Sequence, residues 1–436
     1  MKKALIAGII GTVIEWYDFF LYAAAAGLVI NTAFFPAGSP TAATLASLGT
    51  FAVGFIARPV GAMVFGHYGD RIGRKRVLTL TLVMMGLATC ATGLLPTYER
   101  IGMAAPVILV LARIVQGIGV GGEYGGALLM VFEHGRHIRR RGLLGSVPSA
   151  SASVGFLLAS GTLAAISAVT TTDQFRTWGW RLPFIASIGL LLFGYWIRRN
   201  VQESPVFATI QHTQTPARLP LADLLRDHTR AVVVSLAQPV CIAVVYNLAL
   251  VYTVAYANGL GVPTGTLLTL TVVAQVVYIP LILGWGYVSD RIGRRRTMIF
   301  GALGSAVWAY AFFALVNTLR WQAILLGLIG VLFFLAAMYG PQAAFLANLF
   351  PPQVRYSGIS FGYQLSTAVA GGLAPVTAAA LYAATDSYVP MAAMVTLAAV
   401  ISSLAIVASR RIAPHDEQDA AGATPNRQAD SVSGQP

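Results

Sequence analysis

Twelve mostly apolar runs of about twenty to thirty residues follow one another along this chain. They fall near 5–30, 45–69, 77–96, 104–132, 142–168, 181–200, 230–257, 264–288, 297–317, 321–348, 356–384 and 388–409. Each is long enough to cross a bilayer core of about 30 Å at a rise of about 1.5 Å per residue. Of the 436 residues, 56% are hydrophobic and 10% are charged, against roughly 25% charged in ordinary soluble domains. Water offers such a chain no place to hide its apolar surface. In lipid, the same runs satisfy their backbone groups as helices. The expectation is an all-α membrane protein with 12 transmembrane helices. The first run begins MKKALIAG, but Glu15 and Asp18 interrupt it and no small-residue cleavage site precedes them. It therefore reads as a retained helix, not a signal peptide.

The formal charge is +13. A basic balance can mean nucleic acid, yet here the basic residues cluster in short runs between apolar stretches, which reads as membrane topology. With the N-terminus in the cytoplasm, 22 lysines and arginines lie on the inner side, Arg198 and Arg199 among them. Only Arg100, Arg176, Arg181 and Arg320 lie on the outer side. This predicts a multi-pass protein of a bacterial-type inner membrane with both termini cytoplasmic. Cys90 and Cys241 sit inside apolar runs and predict neither a disulfide nor a metal site. No cofactor is expected. The three lysines, Lys2, Lys3 and Lys75, form no phosphate-cradling loop, so transport would have to draw on a gradient. Glu133, His134 and His137 share a basic loop that reads as a solvated face more readily than as a metal site. Nothing reads as a nucleophilic triad, and an enzyme is not expected.

The strongest organisational signal is an internal repeat. GHYGDRIGRKR at 66–76 matches GYVSDRIGRRR at 286–296, an offset of 220 residues, between the second and third apolar run of each half. Duplicated halves are a recurrent architecture of secondary transporters. The expected organisation is a six-helix bundle over 1–200, a cytoplasmic linker over 201–229 with a short helix near 220–228, and a second six-helix bundle over 230–411. A disordered cytoplasmic tail over 412–436 follows. In the repeated loop, glycines permit a tight turn, the aspartate can cap a helix or pair with an arginine, and the arginines anchor the loop. Gly66, Asp70, Arg71, Gly73 and Arg74, with Asp290, Arg291, Gly293 and Arg294, are candidates for a gate at the cytoplasmic face.

Ionisable residues inside membrane spans are costly and mark function by default. Five lie well inside: Glu15, Asp18, Arg58, Arg113 and Glu123. At about 1.5 Å per residue, Glu15, Arg58 and Glu123 share a level near the midplane. Glu15, Asp18 and Tyr22 form one helical stripe; Arg113, Gln116, Val120 and Tyr124 form another, with Glu123 at its edge. Three acids against two bases leave one acid unpaired. One of Glu15, Asp18 and Glu123 is thus a candidate to bind and release a proton; the alternative is a static network tying helices 1, 2 and 4. A midplane arginine suits a solute carboxylate, so Arg58 and Arg113 are candidate substrate contacts, with Tyr22, Gln116 and Tyr124 beside them. The second half offers polar candidates, chiefly Tyr246, Asn247 and Gln364. Pro239, Pro341 and Pro375 are candidate helix breaks.

These residues together suggest a family. EWYDFFLY at 15–22, FIARPVGAMVFGHYGDRIGRKR at 55–76, RIVQGIGVGGEYGGA at 113–127, WGWRLPF at 178–184, ESPVF at 203–207, SDRIGRRR at 289–296 and FPPQVRYSGISFGYQ at 350–364 resemble the metabolite:proton symporters of the major facilitator superfamily. The resemblance covers nearly all of 5–410. It implies two six-helix bundles around a cavity of alternating access. It also implies proton-driven uptake of a small organic acid or related solute. The chain is expected to function as a monomer. Known members resemble carriers of dicarboxylates, tricarboxylates, shikimate, aromatic acids, or proline and betaine, and GGEYGGA and SGISFGYQ point to the shikimate-like branch. Two departures stand out: Asn348 replaces an acid common before Phe-Pro, and Ser149 replaces a common glutamine. The alternatives are proton-coupled efflux, or a membrane sensor that keeps the fold and moves nothing. The expected partners are solute, proton and bilayer, with no nucleic acid.

Overall fold

The computed structural model describes residues 2–35, 40–134, 140–200 and 220–412. Among them there is no strand. Twelve long helices follow the twelve apolar runs. They are α1 (Lys2–Ala25, continued through Ala26–Ile30 and Asn31–Phe34), α2 (Pro40–Ile72), α3 (Arg74–Leu94), α4 (Ala104–His134), α5 (Arg141–Val169) and α6 (Arg181–Arg199). The second set is α7 (Thr229–Gly259), α8 (Thr264–Ile292), α9 (Arg294–Val316), α10 (Trp321–Ala347), α11 (Arg355–Thr385) and α12 (Val389–Ala408). Eleven of them have the length and apolarity to cross a membrane among the described residues, and α2 is a further helix of 33 residues. Residues 201–219 and 413–436, where a linker and a disordered tail are expected, lie outside the described residues.

The duplication seen in one loop extends to the packing. In the first half α2 packs on α4, α3 on α4 and α6, and α1 on α5. In the second, α8 packs on α10, α9 on α10 and α12, and α7 on α11. A π-helical turn interrupts the first helix of each half, at Ala26–Ile30 and Leu248–Tyr252, 222 residues apart. The halves meet along α5–α8, α5–α10, α2–α11 and α4–α11. One apolar cluster draws on both, with Phe65, Leu128 and Phe132 from the first half and Phe345, Phe350 and Tyr356 from the second. The short helix Pro220–Asp227 touches α2 and α11 and buries Leu224 in that cluster.

The proline expectations divide. Pro239 does break α7, which restarts at Val240. Pro341 and Pro375 lie inside continuous helix, because neighbouring membrane helices and side chains re-satisfy the freed carbonyls. The irregularity in α11 is instead a π turn at Thr367–Gly371.

Glycines of both helices explain why α2 and α4 pack so closely. A Cβ on Gly61 would strike the Ile118 backbone, one on Gly117 the Gly54 carbonyl, and one on Gly121 the Arg58 carbonyl and, at 2.6 Å, the Ala62 nitrogen. Backbones meet here because small residues let membrane helices approach. This seam sets the position of Arg58 on α2 against the charges of α4. Gly121→Val is expected to lower the thermal unfolding midpoint strongly, since overpacking against backbone costs about 1–3 kcal/mol or more. Gly161→Ala, where nothing lies within 4 Å, should leave it unchanged; scanning fluorimetry in detergent compares the two.

Candidate transport site and gate

Between the halves lies a cavity of about 50 Å³. That suffices for a few waters, so a metabolite enters only if the walls move. The first half contributes Glu15, Trp16, Phe19, Phe55, Arg58 and Ser153; the second contributes Tyr246, Asn247, Tyr278, Tyr339, Tyr363 and Thr367. The Arg58 guanidinium lies 4.4 Å from the Phe55 ring centre and 4.8 Å from that of Phe19. Such stacking suits arginine, which is weakly hydrated and planar. Glu15 is buried, and its Oε2 has no hydrogen-bond partner. The Tyr246 hydroxyl accepts from Gln275 Nε2 at 3.4 Å. Asn247 Nδ2 donates to the Ala243 carbonyl at 2.9 Å, just before the π turn of α7. An acid, a base and a wall of aromatic rings thus face one small volume.

A smaller hollow inside the first half shares Glu15, Phe19, Phe55 and Arg58 with this cavity and adds Arg113 and Gln116. Asp18 lines neither space. It is fully buried, Thr89 and Arg113 are its polar neighbours, and neither carboxylate oxygen meets hydrogen-bond geometry. Arg113 lies 3.5 Å over the Tyr22 ring, and the Tyr22 hydroxyl is hydrogen-bonded to Thr50. Gln116 Nε2 donates to Thr89 Oγ1 at 2.9 Å.

Glu123 is placed differently. Its carboxylate pairs with Arg198 of α6 through both guanidinium nitrogens, and accepts from Thr81 Oγ1 at 3.0 Å. Arg198 also donates to the Leu78 carbonyl. The count of three acids to two bases is therefore corrected. Arg198, grouped by sequence with the arginines of the inner surface, is 4% exposed and supplies a third buried base. Near a helix end, its long side chain reaches back into the bundle, and Gly11 of α1 leaves room for the pair.

The repeated loop joins the two halves. Asp70, at the end of α2, accepts from the backbone nitrogens of Tyr356 (3.2 Å) and Ser357 (2.9 Å) and from Ser357 Oγ (2.8 Å), all in the first turn of α11. Asp290, at the end of α8, accepts from the nitrogens of Gly142 (2.7 Å) and Leu143 (3.0 Å) in the first turn of α5. Each carboxylate thus sits on the positive end of a helix from the opposite half. The two glycines of each loop do different jobs. Gly73 and Gly293 turn the chain with φ of 106° and 96°, which L side chains disfavour. Gly66 and Gly286, expected in the turn, lie within α2 and α8, where Ser357 and Ser146 of the other half press against them. Tyr356 fills a hole walled by Gly69, Gly125 and Gly126, with its hydroxyl bonded to the Gly122 carbonyl. Arg71 reaches His67 at 3.3 Å and Arg291 bonds Tyr287, both at the exposed surface. Arg74 is buried, and Arg294 half-buried.

Among the candidate solute contacts, Arg58, Tyr246 and Asn247 line the central cavity, and Arg113 and Gln116 line the smaller hollow. Tyr22 packs against Arg113 away from both. Tyr124 and Gln364 lie in the joint between the halves. Tyr124 stacks on Tyr363 at 3.7 Å and bonds Gln342 at 3.3 Å, while Gln364 donates to the Val120 carbonyl at 3.1 Å. Ser149 faces the Tyr339 carbonyl at 3.5 Å. These cross-bundle bonds and those of Asp70 and Asp290 lie at the cavity floor or on its arginine-rich side. His137 lies outside the described residues. The sequence reading missed Trp16, Phe19, Tyr278 and Tyr339, whose aromatic character is unremarked in an apolar helix.

Two repeated bundles around a charged cavity, joined at one end by two carboxylate-to-helix contacts, have the architecture of a membrane transporter. Residues 3–231 match the sugar (and other) transporter family and residues 240–432 the major facilitator superfamily. The chain belongs to the major facilitator superfamily and is a multi-pass membrane transporter. It is 40% identical over 388 residues to the inner membrane metabolite transport protein YhjE of Escherichia coli (strain K12), with 87% of each chain covered. It is 37% identical to the shikimate transporter of the same organism, again with 87% of each covered. It is 31% identical to the proline/betaine transporter of Salmonella typhimurium, over 87% of this chain and 77% of that one. The proton:xylose symporter XylE bound to 6-bromo-6-deoxy-D-glucose shares the fold, with a TM-score of 0.78, 18% identity, and 96% and 98% of the two chains covered. The inward open conformation of XylE from E. coli gives a TM-score of 0.64 at 18% identity, over 94% and 95%.

Two predictions test this geometry. In a background without Cys90 and Cys241, a cysteine placed by Ser360→Cys lies at the α4–α11 joint. Adding Asp70→Asn should speed its alkylation about tenfold, because loss of a charged helix-end contact of roughly 1–2 kcal/mol shifts the population by that order. An unchanged rate would show that Asp70 does not hold the joint. Separately, Arg198→Gln should destabilise the protein by about 3–5 kcal/mol, the usual loss when a buried pair is broken from one side. The Glu123→Gln/Arg198→Gln double variant should recover part of this in thermal unfolding.

Proposed function

We propose that this transporter imports a small carboxylated metabolite together with a proton across a bacterial inner membrane, as a single chain with both termini in the cytoplasm. The observation that carries the reading is the division of the buried charges. Arg58 and Glu15 line the central cavity, whereas Asp18 does not and has Thr89 and Arg113 as its polar neighbours. In this scheme Arg58 receives the solute carboxylate through bidentate hydrogen bonds, and the rings of Trp16, Tyr246, Tyr278, Tyr339 and Tyr363 enclose the rest of the solute. Asp18 takes up the proton, and Arg113 is its counter-charge when the proton leaves. Glu15 adjusts the charge of the cavity as solute enters. Glu123 remains paired to Arg198 and braces α3, α4 and α6.

The cycle follows from the cost of burying charge. With Asp18 ionised and solute absent, the cavity opens to water at one end. Protonation of Asp18 and arrival of a solute carboxylate at Arg58 together leave the net buried charge unchanged, whereas either alone shifts it by one; only the pair lets the halves close and then part at the arginine-rich end. The relatives that carry shikimate or proline and betaine support a small polar solute, and the arginine-rich end as the cytoplasmic side is supported by the charge asymmetry.

In proteoliposomes, a panel of small carboxylated solutes that includes shikimate, proline and betaine should show at least one accumulated when the outside is more acidic. Asp18→Asn should abolish accumulation driven by the pH gradient and keep solute exchange, whereas Arg58→Gln should lose both. Accumulation by Asp18→Asn that still follows the gradient would remove Asp18 from the proton role.

A further inference from the structure

A hollow of about 600 Å³ opens at the arginine-rich end of the second half, apart from the solute cavity. Its walls are the end of α8, the first turn of α9, the end of α10 and the end of α12. Arg294, Arg295, Arg296 and Arg410 converge on it. The carboxylate on its wall, Asp290, is already committed to the amides of Gly142 and Leu143. Asn348, also on the wall, adds no charge. Arg295 is held in place by Ser409, with Nε 3.0 Å from its Oγ and Nη2 3.1 Å from its carbonyl. Topology alone requires basic residues near a membrane surface; it does not require four guanidinium groups around one concavity whose acid is engaged elsewhere.

We propose that this hollow binds a phosphate anion carried by the headgroup of an acidic phospholipid, and that its occupancy keeps Asp290 on α5. Guanidinium groups recognise phosphate oxygens by charge-assisted bonds, and basic pockets between membrane helices on the cytoplasmic side hold acidic headgroups. The source is a lipid and not a soluble ion for two reasons. Phe345, Leu349 and Ile412 give the hollow an apolar side. Phe300 and Leu303 of α9 and Leu404 of α12 are exposed on the helices that rise from it, as acyl chains would require. The link to the gate is electrostatic. An empty cluster of arginines draws the Asp290 carboxylate away from the α5 amides; a bound phosphate cancels that pull.

The test uses the purified full-length chain and the Arg296→Gln/Arg410→Gln variant, whose altered side chains are exposed and lie outside the solute cavity. The thermal unfolding midpoint is followed while phosphatidylglycerol, phosphatidylcholine or inorganic phosphate is titrated. Phosphatidylglycerol should raise the midpoint and phosphatidylcholine should not. The variant should need roughly thirtyfold more phosphatidylglycerol, the effect of two arginines at an acidic surface. Alkylation of Ser360→Cys should slow when phosphatidylglycerol is present. An equal response in chain and variant, or none in either, overturns the site. A shift with millimolar inorganic phosphate alone overturns the lipid as its source, and an unchanged alkylation rate overturns the link to Asp290.

Discussion

Two carboxylates, each seated on the first-turn amides of a helix from the opposite half, hold this molecule closed at its arginine-rich end. Asp70 caps α11 and Asp290 caps α5. The contact is electrostatic and short-ranged, and it falls off within the first helical turn. It can therefore be broken by a small displacement, unlike a broad apolar seam. Around it the halves share an apolar cluster, and Tyr356 fills the glycine-walled hole beside Asp70. The cluster gives the closed end its area, while the two caps fix its register. A transporter must populate more than one form, so no single joint can exceed a few kcal/mol by much. Two modest caps related by the internal repeat satisfy that limit better than one strong bond.

The buried charges of the first half sort by how completely they are paired. Glu123 has a direct partner in Arg198 and a hydroxyl from Thr81. A group so fully bonded is fixed in place, which suits bracing. Asp18 and Glu15 keep unbonded oxygens, and Arg113 keeps unbonded nitrogens. Buried polar groups are normally satisfied; in the proposed cycle, the exceptions on α1 and α4 are where a bonding partner arrives and leaves. Under the proposed cycle, those partners are the proton and the solute.

Much of the fold was legible because its causes are local. Twelve apolar runs became twelve helices, and the repeated loop marked two halves whose packing repeats as well. Arg198 was not legible in the same way. Hydropathy places it at the end of a span, and only the room left by Gly11 shows that it turns inward to Glu123. Gly66 and Gly286 carry the same letter as Gly73 and Gly293, yet one pair serves contact and the other serves the turn. The aromatic wall was hidden for a simpler reason. In an apolar helix, Trp16, Phe19, Tyr278 and Tyr339 look like any lipid-facing or core residue, and periodicity does not say which face meets the other half. Pro341 and Pro375 mislead in the opposite direction, since a membrane bundle supplies replacement partners that an isolated helix lacks.

Helix α1 ties the two proposed sites together. Glu15 and Asp18 lie three residues apart, on one stripe, yet only Glu15 lines the two hollows. It shares both with Arg58, while Asp18 lines neither and has Arg113 as its charged neighbour. Phe19 directly follows Asp18 in sequence and lines both spaces, with Arg58 stacked on its ring. A solute that draws Arg58 away from Phe19 therefore loosens the same turn of helix that holds Asp18. A proton that neutralises Asp18 in turn relieves its attraction to Arg113, which belongs to the α4 helix packed against α2 and Arg58. Reciprocity is then built into the packing: whichever ligand binds first alters the setting of the other. Coupling of this kind needs no direct contact between proton and solute, only that both act on one short, rigid segment.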